Sequence, residues 1–363
     1  MFRPLSTQIV GSYVKPAWLI RHDRLLKLDG SAWRLKGDQL REAQDDAVLL
    51  AIREQESAGL DVVTDGEVRR TGYDRYFYAR FGGVNAQDFA RDGEGLARDD
   101  LKVERDPAKA RRARLAKRKA PRIEGPLTWT GPISVDDLTF AKRHAARPVK
   151  ATVVGPITAY DRMQDSHYGS PQAAIHALAG VINSELRALE AAGADLLQID
   201  EPVLHASFTA VRDYAQDAIE AAVAGLSTPV MLHVCYGYAH NSLSKQANDI
   251  YADVLGLVAA CRGIAGISLE YAQPDHTPDL LASASDKHVL LGVVNLGINA
   301  TEAPETVAQR LRGALRYVAP ERLHASTDCG MWHLGRDAAA ARLRAIVDGA
   351  ALVRRDLGLA DAA

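Results

Sequence analysis

Cysteine is scarce in this chain: three among 363 residues, at positions 235, 261 and 329. Thiols so far apart in sequence do not make a disulfide framework, and they fit a reducing compartment. Aromatic residues are also few, at 6%. None interleave with the basic run at 105–119, so no base-stacking surface for nucleic acid is expected. No apolar stretch approaches the ~18 residues of a membrane span. The start Met1-Phe2-Arg3-Pro4 runs directly into a strand-like segment rather than a secretion signal. A formal net charge of −2 gives no single-signed field toward nucleic acid or anionic lipid. With 47% hydrophobic and 25% charged residues, the expectation is a cytoplasmic enzyme with ample core.

What is present is an alternation. Eight short aliphatic or β-branched runs read as strands: Thr7–Val10, Leu60–Thr64, Val149–Val154, Asp195–Asp200, Pro229–Val234, Ile264–Glu270, His288–Val294 and Leu323–Thr327. Most are almost continuously apolar, as parallel strands covered on both faces are. Helical patterns fill most intervals: Asp38–Ala58, Pro171–Ala192, Asp213–Leu226, Leu243–Ala260, Ala303–Tyr317 and Gly335–Leu357. Gly59 and Gly193 stand where C-terminal helix caps belong. Eight such units predict a TIM (β/α)8 barrel, a fold of ~250 residues before insertions. The whole chain, 1–363, reads as one domain. The surplus falls in a loop-rich stretch at 13–37 and in an excursion at 84–148 near the barrel mouth. The 105–119 run inside that excursion is a clamp for an anionic tail or partner, or simply a solvated helix face.

Polar residues collect at the C-terminal ends of these runs, where barrels of this kind keep their chemistry. They are Ser12, Asp65 and Glu67, the Asp200-Glu201-Pro202 stretch, His233 and Cys235, Glu270, Asn295 and Cys329. In Leu232-His233-Val234-Cys235 the period of two puts imidazole and thiolate on one side of an extended backbone. A soft N/S pair suits Zn2+, and Cys329 with the carboxylate of Glu270 would complete a tetrahedral set. Cys261, within a helical pattern, reads as structural.

With those residues placed, the chain resembles the catalytic domain of cobalamin-independent methionine synthase and its shorter single-barrel relatives. The pieces that match, in order, are Val10-Gly11-Ser12, Asp65-Gly66-Glu67, Gly155-Pro156-Ile157-Thr158, Gln198-Ile199-Asp200-Glu201-Pro202, His233-Val234-Cys235-Tyr236, Leu269-Glu270 and Asp328-Cys329-Gly330. They span nearly the whole chain. The resemblance implies zinc held by His233, Cys235, Glu270 and Cys329. It also implies the amino-acid part of homocysteine or methionine held by Val10, Ser12, Glu67 and Asp200. The activity implied is methyl transfer to a zinc-bound homocysteine thiolate, a step in methionine biosynthesis.

Two departures matter. Full-length synthases carry a further N-terminal barrel that helps bind polyglutamylated folate, and no counterpart is matched here. The expected donor is therefore not polyglutamyl folate alone; a methylfolate or a methyl-corrinoid protein is expected. The family also places Asp-x-His after its seventh strand, where this chain reads Asn295-Leu296-Gly297-Ile298-Asn299. His205, Tyr160 and His333 are candidate substitutes for the missing acid, on position alone. Two other readings stay open. One is a zinc thiol alkyltransferase of other specificity, resembling epoxyalkane:coenzyme M transferase. The other is a non-catalytic zinc-binding partner subunit.

Overall fold

The computed structural model describes residues 3–24, 31–72, 74–86, 120–237, 245 and 247–359. Its strands are β1 (Phe81–Asn85), β2 (Arg122–Trp129), β3 (Lys150–Val154), β4 (Gln164–Asp165), β5 (Leu196–Asp200), β6 (Val230–Val234), β7 (Gly266–Leu269), β8 (His288–Gly292) and β9 (Leu323–Ser326). The strands β3-β5-β6-β7-β8-β9 form one sheet in that order, and every pair in it is parallel. The runs expected as the first two strands are reduced to single bridges, Thr7 to Ala325 beside β9 and Val63 to Val149 beside β3. Between them the Thr7 carbonyl accepts from the amides of Asp61 and Val62. The arrangement is that of a TIM-type α/β barrel. Among the described residues, no helix is long and apolar enough to cross a membrane.

Residue parity explains where the core and the chemistry go. Leu197 and Ile199, Leu232 and Val234, Ile267 and Leu269, and Val289 and Leu291 belong to the main core. The alternate positions turn the other way. Of these, Leu196, Met231 and Leu290 form a small separate apolar cluster low in the strands. Above it, toward the strand C-termini, the same face carries Gln198, Asp200, His233 and Ser268, all buried. The barrel is therefore plugged with hydrocarbon at one end and lined with polar groups at the other.

Helices differ from expectation mainly at their starts. Gly37–Ala58, Pro171–Ala191, Pro304–Ala314 and Arg336–Asp356 lie close to their predicted spans. Leu204–Val223 begins nine residues before the predicted Asp213, two residues after Pro202, which is tolerated near a helix start. Ile250–Ala260 begins later than the predicted Leu243. The predicted excursion at 84–148 divides. Its last part is a helix, Val135–His144, whose Leu138 and Ala141 join the main core. An antiparallel pair, β1 with β2, joins residues 81–85 to 122–129. The basic run 105–119 lies outside the described residues.

One carboxylate fastens that pair to the barrel. Glu185, fully buried on the helix Pro171–Ala191, accepts from Trp129 Nε1 at 3.0 Å, Ile133 N at 2.9 Å, and Ser134 N and Oγ at 2.8 Å each. Removing the acceptor strands several buried donors, at about 1–3 kcal/mol each. Glu185→Ala should therefore cost at least about 3 kcal/mol and lower the thermal midpoint by several degrees. An unchanged midpoint in a melting curve would refute this anchoring role.

Candidate metal centre

His233 is the last residue but one of β6 and Cys235 follows that strand, while Cys329 lies three residues past β9. All three are buried. One nitrogen and two sulfurs from these residues lie within 4.8 Å of one another, the only such group of three among the described residues. The two sulfurs are 3.8 Å apart, far beyond the ~2.05 Å of a disulfide.

The local chemistry prepares each donor. β6 and β7 pair with His233 opposite Ser268, which brings the serine hydroxyl 3.0 Å from His233 Nδ1. His233 Nε2 is buried and has no protein partner. If Nδ1 carries the proton and donates to Ser268 Oγ, the Nε2 lone pair faces the sulfurs, the usual arrangement of a metal-bound imidazole. Burial, with Lys150 and Lys245 nearby, lowers the His233 pKa to about 3, so the ring is neutral. The hydrogen bond from Cys329, and then burial, push the Cys235 thiol well above its ordinary value. A cation between the sulfurs would reverse that balance. Gly237 N donates to Cys235 Sγ at 3.3 Å.

Glu270, expected as the fourth ligand, is not in that group. Its Oε1 is 2.5 Å from Lys245 Nζ and its Oε2 accepts from Tyr236 N at 2.8 Å. Tyr251 Oη accepts from Glu270 N at 3.2 Å and donates to the Val234 carbonyl at 2.7 Å, tying the ends of β6 and β7 together. Asp328 joins β9 to the same place, accepting from the amides of Tyr271, Ala272 and Gln273. Nothing in the sequence around Lys245 distinguishes it from a surface lysine. Only its burial beside Glu270 does.

Beside the sulfur end lies a pair of carboxylates. Glu67 sits in the Asp65-Gly66-Glu67 turn with φ +53°, a left-handed backbone that a non-glycine residue adopts at a cost of ~1–3 kcal/mol. Such strain recurs at functional sites, and here the turn leaves the Glu67 side chain buried against β3. Its Oε1 accepts from Thr152 Oγ1 at 2.9 Å and lies 3.8 Å from Arg70 NH1. Its carbonyl accepts from Lys15 Nζ at 2.8 Å. Asp200 ends β5 directly opposite His233 and accepts from Gln198 Nε2 at 2.7 Å. Burial, then the charge of Glu67, raise the Asp200 pKa to about 8. The two buried carboxylates repel one another, and Lys150 and Arg70 offset part of that repulsion. Val10 is linked to Asp200 through Gln198, and Ser12 is tied to the segment after Cys329. The Val10 carbonyl accepts from Gln198 Nε2 at 2.9 Å, and the Ser12 carbonyl accepts from Met331 N at 2.9 Å.

Neighbouring Asp200 and Glu201 have different roles. Glu201 is fully buried and accepts from Ile157 N, Thr158 N and Thr158 Oγ1, capping the short helix Pro156–Asp161. A Cβ at Gly155 would lie 2.2 Å from Glu201 Oε1, so that close approach needs glycine. Of the three acid candidates, His205 meets the backbone of Cys235. Its ring packs on Tyr236 at 4.5 Å, and burial lowers its pKa to about 4. Tyr160 is buried on the helix after β3, and His333 packs edge-on against Trp332. An imidazole not anticipated is His276, whose Nε2 is 3.0 Å from Tyr236 Oη.

Comparisons with known proteins bear on the family and the fold. The family described as "Cobalamin-independent synthase, Catalytic domain" matches residues 5–352. A methionine synthase of Thermococcus kodakarensis is 31% identical over 356 residues, covering 97% of this chain and 94% of that protein. One from Sulfurisphaera tokodaii is 30% identical over 355 residues, with the same coverage of each. A B12-independent methionine synthase of Shewanella sp. W3-18-1, solved with selenomethionine, superposes with a TM-score of 0.84 at 30% identity. That match covers 98% of this chain and 99% of the other. The chain belongs to the cobalamin-independent methionine synthase family.

Proposed function

We propose that this protein transfers a methyl group to homocysteine, giving methionine, with zinc held by His233, Cys235, Glu270 and Cys329. The observation that carries the reading is the buried N/S/S group at the strand ends, with Asp200 beside it on the adjoining strand. The donor set fits zinc: two Zn–S bonds of ~2.3 Å in a tetrahedron set their sulfurs about 3.8 Å apart, the spacing between Cys235 and Cys329. When bound, zinc supplies the deprotonation that a free thiol, with a pKa of about 8.5, lacks at neutral pH. Ser268 fixes the imidazole of His233, and Gly237 N supports the Cys235 sulfur. Glu67 and Asp200 hold the acceptor's ammonium, with Val10 and Ser12 lining the amino-acid end. The relatives of matching length bear the name methionine synthase, and the Shewanella enzyme's selenomethionine complex is in keeping with such a pocket. The methyl donor is a methylfolate or a methyl-corrinoid protein rather than polyglutamyl folate alone. The setting is the cytoplasm.

Titrating zinc-loaded protein with homocysteine, coenzyme M, glutathione and cysteine tests the acceptor. Homocysteine should bind tightest. Preference for coenzyme M would favour the alkyltransferase reading, which the segment after β8 keeps in view. There Asn295 Oδ1 accepts from Gly297 N, and the stretch offers no imidazole. Full zinc loading without turnover of any thiol would favour a partner subunit.

The carboxylate pair also gives the site a pH signature. With the Asp200 pKa near 8 in the free protein, protonation below pH 8 removes the charge that an ammonium requires. Methionine, which has no thiol to titrate, should therefore bind more tightly as pH rises from 6 to 8, by at most about tenfold per unit. Binding measured across that range should lose this slope in Asp200→Asn. A slope that persists there would assign the titration to another group.

A further inference from the structure

Lys150 is buried on β3, on the face that turns into the barrel. Among the described residues it makes no ion pair. Its Nζ donates instead to the Ile9 carbonyl at 2.6 Å and to Gln198 Oε1 at 2.8 Å. An apolar side chain of that volume would be cheaper to bury than an unpaired ammonium. What the lysine adds is a direction. The Gln198 amide, also fully buried, donates from its other end to the Val10 carbonyl at 2.9 Å and to Asp200 Oδ1 at 2.7 Å. A charged lysine offers only donors, whereas a carbonyl and a carboxylate offer only acceptors, so an amide held between them has one allowed orientation. A neutral amine keeps two N–H groups for the same two acceptors, and the orientation survives loss of the charge. Asp200 Oδ1 is thereby occupied, while among the described residues its Oδ2 makes no hydrogen bond.

We propose that Lys150 and Gln198 are positioning residues for the acceptor: Lys150 fixes the direction of the Gln198 amide, whose NH2 group holds Asp200 by one oxygen and leaves the other for the acceptor's ammonium. This rests on reading Asp200 as a partner of that ammonium. Lys150 has two opposed effects on such a ligand. Its charge repels an ammonium, so on charge alone its removal would tighten binding. Its hydrogen bond orients Gln198, so on position its removal would weaken binding. A reversed amide would set Oε1 against the oxygens of Val10 and Asp200, and the carboxylate would have to turn away. The orienting effect is the larger, because it acts through direct hydrogen bonds, one of them to a charged group.

The test titrates zinc-loaded wild type, Lys150→Met, Gln198→Met and the double variant with methionine and with 4-(methylthio)butanoate, which is methionine without its ammonium. Wild type should prefer methionine. Lys150→Met and Gln198→Met should each bind methionine more weakly by about tenfold or more, and bind the deaminated ligand within about threefold of wild type. The double variant should match Gln198→Met, because Lys150 acts through Gln198. Gln198→Met changes no charge and decides the matter even if Lys150→Met does not fold. Methionine binding that is unchanged or tighter in a folded variant, equal losses for both ligands, or losses that add in the double variant would overturn the proposal while leaving the ammonium reading standing. A wild type that binds both ligands equally would overturn both.

Discussion

Replacing Cys329 with serine should abolish metal retention and methyl transfer together. Serine's neutral hydroxyl is a poor substitute for a thiolate, and the site has only two other donors in its buried group. Groups that merely orient a ligand cost about 10–100-fold in metal affinity when lost, so losing a ligand itself should cost well over a hundredfold. Cys235→Ser should behave the same way, and the loss is visible as zinc content after dialysis. Cys261→Ser is the control. Cys261 sits beyond the helix Ile250–Ala260, and its thiol donates to the Leu257 carbonyl at 3.5 Å, outside the metal group. Full zinc content in Cys329→Ser would break the assignment.

The second large effect concerns the acceptor's ammonium. Hydrogen bonds to charged groups contribute about 1.5–3 kcal/mol, so losing one should weaken binding by roughly 10- to 150-fold. Asp200→Asn keeps the shape and, above about pH 8 where Asp200 is ionised, removes the charge opposite His233. The homocysteine dissociation constant should rise by at least about tenfold with zinc content intact. A sulfonate thiol such as coenzyme M should bind the variant equally well or better, because a repulsive charge has gone. Homocysteine binding that ignores the substitution would favour the alkyltransferase reading.

How much of this was legible in the sequence depends on how local each signal is. The aliphatic runs of β3, β5, β6, β8 and β9 marked strands because parallel strands covered on both faces keep few polar residues until their ends. Those ends then displayed Asp200, His233 and, three residues past β9, Cys329 without any knowledge of packing. The pair β1–β2 was not legible, since it joins 81–85 to 122–129 across more than thirty residues with no local period to announce it. The helix Val135–His144 was absorbed into the predicted excursion for want of a break before it. Asp200-Glu201 looked like one functional pair, and only the acceptor geometry shows that Glu201 caps a helix. Ser268 acquires meaning from its register opposite His233, and Lys245 from the chain that carries it to Glu270. Chemistry encoded in residue type was readable, whereas chemistry encoded in register was not.

The most direct test of the central claim is zinc K-edge X-ray absorption on the zinc-loaded protein before and after homocysteine is added. The resting spectrum should fit two sulfur ligands, from Cys235 and Cys329, with one imidazole nitrogen. Homocysteine should raise the sulfur count by one and remove a light-atom ligand. An unchanged shell, with homocysteine demonstrably bound, would contradict activation of the acceptor thiol at this centre.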